Sequence, residues 1–101
     1  MKKHNERIVC KDGFEMSVQA NETAYCDPRI DDAGRYKEVE VGYPNELEPM
    51  LMPWAENEEN PLGTVYGYVP AERISLICAK HGGIVSGELP AGIPYIHAIE
   101  E

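Results

Sequence analysis

At 101 residues the chain is the size of one small domain, with room for a single modest core and not for two. Its 43% hydrophobic and 27% charged residues are those of a folded protein, and its apolar runs are too short to cross a bilayer as a helix. The formal charge of -9 disfavours a general nucleic-acid binder, which must neutralise phosphates, and suits instead a basic protein surface.

The first residues, MKKHNERIVCKDGF, are basic but lead into no apolar stretch, so no signal peptide is expected. Cys10, Cys26 and Cys78 are odd in number and widely spaced, a pattern that fits reduced thiols in a cytoplasm. Residues 8–20 read as a β-hairpin. Ile8 to Cys10 supply one strand, and Asp12-Gly13 is a two-residue turn signal. Phe14, Met16, Val18 and Ala20 then alternate with polar residues, which puts the apolar set on one face.

Residues 21–35 are rich in turn formers and read as a loop around Asp27-Pro28. YKEVEVGY gives a third strand, with Val39, Val41 and Tyr43 toward the core and Glu38 and Glu40 toward water. Four prolines between residues 44 and 61 rule out a long helix there. Leu47, Met50, Leu51 and Trp54 can share one side of short helical turns. LGTVYGYVP reads as a fourth strand.

The clearest helix is PAERISLICAKHGG. Pro70 suits a helix start, Glu72 and Lys80 complement the helix dipole, and Ile74, Ile77, Cys78 and His81 repeat at helical spacing. Gly82 is the expected residue after its end. Ile84-Val85 can add a short strand. The reading is a single α+β domain over residues 1–87: an antiparallel sheet of about four strands with one helix packed on it. Residues 88–101 form a tail whose Ile93, Tyr95, Ile96 and Ile99 suit docking on this chain or on a neighbour.

Chemistry is sparse. Cys and His lack the short paired spacings of a zinc site, so no metal or other cofactor is expected. Cys26 with Arg29 and His81 is the best nucleophile set on residue type, yet nothing in the spacing favours it over a buried thiol, and no catalytic residue is assigned. His81 reads as a capping histidine in the last helical turn, or as a polar group aimed into a cleft.

Two sets point to binding. From Glu38 to Glu72 there are eight Glu and no Lys or Arg. Within it Glu38, Glu40, Glu46, Glu48, Glu56, Glu58 and Glu59, with Trp54 as an apolar anchor, form a candidate surface for a basic protein. The second set starts from YCDPR, residues 25–29. Tyr25, Arg29, Arg35, Tyr66, Tyr68 and His81 could stack a base and pair with phosphate, in an oligomer whose interface completes the pocket.

The order DGFEMSVQA, YCDPR, YKEVEVGYP, VYGYVP and HGG, over roughly residues 10–83, resembles a family of small acidic proteins encoded in bacteriophage and prophage genomes. The matching positions are Tyr25, Cys26, Pro28, Arg29, Tyr66, Tyr68, His81 and Gly82. The resemblance implies a phage accessory protein made in the bacterial cytoplasm and assigns no activity. With the acidic set it points to a non-enzymatic inhibitor of a host target, of anti-CRISPR or other anti-defence type. The alternatives are a sponge for a nucleotide immune signal and a minor structural phage protein.

Overall fold

The computed structural model describes residues 4–99. Lys2, Lys3 and the last two residues of the tail lie outside that range. Five strands form one antiparallel sheet: β1 (Ile8–Cys10), β2 (Glu15–Gln19), β3 (Glu38–Gly42), β4 (Val65–Pro70) and β5 (Ile84–Ser86), in spatial order β4-β3-β2-β1-β5. One helix, α1 (Ala71–Lys80), follows β4 directly and packs across one sheet face. The architecture is the expected α+β one, with β5 as a fifth strand beside β1.

Alternation builds the core. Phe14 just before β2, Met16 and Val18 from β2 and Val39 and Val41 from β3 are fully buried, against Ile74, Ile77 and Cys78 of α1. Burying each such side chain is worth about 1.5–3 kcal/mol, so these rows fix the register and with it the opposite face. The helix stops in a Schellman motif: Gly83 N–H donates to Cys78 O (2.8 Å), and Gly82 N–H, at φ 89°, donates to Ala79 O (3.1 Å).

Three local expectations change. The β1–β2 connection is a three-residue loop, Lys11 to Gly13, because Cys10 pairs with Phe14 and Gly13 takes φ 94° after the turn. Tyr43 is not core: at φ 50° it swings out of the strand and stands 53% exposed. Residues 44–54 make only one 3₁₀ turn, Met52–Trp54, which buries Leu51 and leaves Leu47 in solvent. The tail docks on its own chain. Ile84 N–H donates to Ile96 O (2.7 Å) and Ala98 N–H to Ile84 O (2.9 Å), so the tail runs along β5 at Ile84.

Candidate functional site

On β4 the two residues Gly67 and Tyr68 oppose the single Glu40 of β3, because Val41 pairs with Tyr66 and Val39 with Val69. This β-bulge re-aims Tyr68, whose backbone sits at φ 56°. A left-handed backbone costs a bulky L-residue about 1–2 kcal/mol, yet the ring it displays is 43% exposed and adds little core packing in return.

Three further segments converge on the bulge. Tyr25 stacks on Tyr68 with ring centroids 6.1 Å apart, and Tyr68 N–H donates to Tyr25 O (2.9 Å). The Arg29 guanidinium lies over the Tyr25 ring, 5.3 Å from its centre. Its Nη2 donates to Thr23 O (3.2 Å), which fixes it there. Glu40 Oε2 accepts from Tyr25 N–H (3.0 Å). Residues 54–56 run along the outer edge of β4, where Glu56 N–H donates to Val65 O (3.0 Å). Gly67 makes the approach possible: a Cβ there would meet Tyr25 Cβ at 3.2 Å and Glu56 Oε2 at 3.5 Å.

The YCDPR stretch is a turn that also carries two of the side chains gathered at the bulge. Its Asp27-Pro28 bond is cis, Cys26 is buried, and Tyr25 and Arg29 turn outward together. The Cys26 thiol donates to Asn21 O (3.2 Å), and burial pushes it above its usual range, which leaves it an inert small hydrophobe.

Both sequence-derived sets are split by the fold. Tyr25, Arg29 and Tyr68 assemble, with Glu40 and Glu56 beside them. Tyr66 does not join: it points to the opposite face, is fully buried, and its hydroxyl donates to Pro61 O (2.6 Å). Arg35 lines a separate cleft of about 450 Å³ with Lys37, Asp27 and Glu72. Trp54 is half-buried beneath Arg73, 5.3 Å from its ring centre. Glu38 sits on β3 beyond Glu40, and Glu58 and Glu59 stand exposed in the loop before β4.

Glu48 and His81 leave both sets for one buried cluster. Glu48 is 1% exposed, so it offers nothing to a partner. Its Oε1 lies 2.6 Å from His81 Nε2, and its Oε2 accepts from Lys80 Nζ (2.8 Å) and Met50 N–H (2.9 Å). His81 Nδ1 lies 2.6 Å from Asp12 Oδ2, and Phe14 stacks on the imidazole at 4.2 Å. A carboxylate at each ring nitrogen requires a proton on both, so the ring is an imidazolium. Burial pushes His81 down, but the hydrogen bonds to Glu48 and Asp12 outweigh it and hold the ring above its usual value. Burial likewise pushes Glu48 up, and the bonds from Lys80, Met50 and His81 bring it below the usual carboxylate range.

Asp12 and Phe14 as partners of His81, and Lys80 as a partner of Glu48, were invisible to sequence reasoning. The one available signal was Glu48 itself, a carboxylate set among Leu47, Met50 and Leu51 in a stretch with no Lys or Arg. With both nitrogens engaged, His81 has none free to take a proton from a nucleophile. Among the described residues no His, Cys, Asp or Glu group has the arrangement of a metal site, and no helix is long and apolar enough to cross a membrane. Comparison with family models, with curated proteins and with solved structures finds no match to the chain.

Proposed function

We propose that the chain is a non-enzymatic phage accessory protein that occupies a basic, arginine-bearing surface of a host protein in the bacterial cytoplasm. The observation that carries the reading is the bulge at Gly67 and Tyr68, which spends backbone strain to display a tyrosine beside two carboxylates. Stacked phenol rings flanked by Glu40 and Glu56 suit a guanidinium, which stacks on an aromatic face and pairs with a carboxylate at once. The molecule uses the same contact internally, with Arg29 on Tyr25 and Arg73 on Trp54. The charge of -9 speeds encounter with a basic target. The phage setting rests on the resemblance of residues 10–83.

The test is an NMR titration of the labelled protein with a short arginine-rich peptide, a lysine-rich peptide and a cyclic dinucleotide. The reading expects amide shifts centred on Tyr25, Glu40, Glu56 and Tyr68, stronger for arginine than for lysine, and their loss in Tyr68→Ala. Shifts spread evenly over Glu46, Glu58 and Glu59 would reduce the interaction to unspecific charge. The ladder of Arg29, Tyr25 and Tyr68 also favours the second reading, a nucleotide sponge. Shifts from the dinucleotide alone would establish that reading against the repulsion of Glu40 and Glu56.

A further inference from the structure

The cluster around His81 joins three parts of the fold that are distant in sequence: the hairpin tip through Asp12, residues 44–51 through Glu48, and the end of α1 through His81 itself. It lies outside the bulge and has no part in the binding reading. Its two carboxylates are held very differently. Glu48 is buried and carries two further donors, Lys80 Nζ and Met50 N–H. Asp12 is 48% exposed at its side chain, and besides His81 it accepts the Phe14 amide, at 2.9 Å.

The asymmetry decides what happens when the imidazolium loses one proton. The remaining N–H can satisfy one carboxylate, and the bare nitrogen then faces the other lone pair to lone pair. Glu48 cannot leave, because Lys80 and Met50 fix it in a dry site. Asp12 can rotate into water at little cost. The proton therefore stays on Nε2, and the contact that breaks is Nδ1 to Asp12. We propose that His81 is a proton-operated latch on the hairpin tip, in which the imidazolium holds Asp12 and loss of its Nδ1 proton releases it while Glu48 keeps the ring.

The other groups facing the ring support this. Glu46 Oε1 is 4.0 Å from Nδ1 and, like Asp12, favours the charged ring. Lys80 is bound to Glu48, and Lys11 Nζ is drawn away to Ile99 O. Cys10 on β1 and Cys78 on α1 complete the surroundings. The Cys78 thiol, hydrogen-bonded to Cys10, is held far above its usual range and stays neutral.

The sign follows from the raised His81 value. The latch is fully closed below the unfolded histidine value of about 6.5 and opens as pH rises through the higher folded value. The lowered Asp12 carboxyl, held by the Phe14 amide and then by His81, keeps it closed down to pH below about 3.9.

The experiment follows the His81 ring by NMR across this range and measures amide hydrogen exchange, corrected for its intrinsic pH dependence, on the same sample. The latch predicts a ring midpoint above about 6.5 and a loss of Gly13 and Phe14 protection through that midpoint of about tenfold. Met50 and Leu51 keep their protection. Asp12→Asn, at a half-exposed position that tolerates it, lowers the midpoint and removes the pH dependence at Phe14. A ring that titrates at or below about 6.5 overturns the proposal. So does exchange that loosens Met50 and Leu51 rather than the tip, or an Asp12→Asn profile identical to the parent.

Discussion

The bulge at Tyr68 and the cluster at His81 are built from the same kinds of side chain: carboxylates, an aromatic ring, a cation. In the cluster the paired charges meet at 2.6–2.8 Å around a buried Glu48 and His81. At the bulge Glu56 and the edge of Tyr68 stay in solvent, and the contacts that exist, Arg29 over Tyr25 and Glu40 under its amide, position the site without filling it. A closed network stabilises the fold. An open one at a strained backbone is where a partner can still gain contacts.

The comparison breaks most sharply at glutamate. Glu48→Gln takes their shared counter-ion from the buried imidazolium and the half-exposed Lys80, and a buried pair deprived of one member costs about 3–5 kcal/mol. Glu56→Gln, on an exposed side chain, changes stability by less than about 0.5 kcal/mol. Urea unfolding of the two variants at neutral pH checks the contrast. Equal midpoints would show that the Glu48 site is wet and the cluster is no more than surface charge.

The reverse contrast belongs to association. Replacing Glu38, Glu40, Glu56 and Glu58 by Gln removes four charges, Glu40 and Glu56 at the bulge and Glu38 and Glu58 beyond it, and leaves the cluster intact. With an arginine-rich peptide as the probe, association slows by about tenfold and its salt dependence flattens, since steering by exposed charge governs on-rate. The unfolding midpoint stays near that of the parent. An unchanged salt slope in stopped-flow measurements would remove the acidic face from the binding reading.

How much of this was legible is set by the range of each interaction. Period-two alternation in Phe14, Met16 and Val18 and helical spacing in Ile74, Ile77 and Cys78 are local, and they gave the strands, the helix and the sheet's buried face. The bulge was not legible, because it depends on the offset between β3 and β4 and not on either strand alone. Without it Tyr66 and Tyr68, two residues apart, fall on one face; with it one is core and the other is displayed. Glu48 misled for a similar reason. It belongs by composition to the acidic surface, and only the Lys80-His81 pair at the end of a helix 32 residues later draws it inside. Tyr25 and Arg29 were found because one turn holds both.

Tyr43 offers the smallest effect and the most direct check on strain. It occupies φ 50° with its N–H donating to Thr64 O (3.1 Å) and its O accepting from Arg7 Nη2 (2.7 Å). Those backbone bonds fix the conformation whatever the side chain, and the exposed ring returns little packing. Asparagine enters the left-handed region more readily than a bulky residue, so Tyr43→Asn relieves part of the strain and stabilises the protein by up to about 1 kcal/mol. The same change at Tyr68 also removes the stack with Tyr25, so its gain is smaller or reversed. Thermal unfolding of the two variants orders them: Tyr43→Asn above the parent and above Tyr68→Asn. If Tyr43→Asn also weakens binding of the arginine-rich peptide, the recognition surface extends from the bulge along β3 to its far end. If binding is unchanged, it is confined to the bulge, and the strain at Tyr43 serves only the exit from the strand into Pro44.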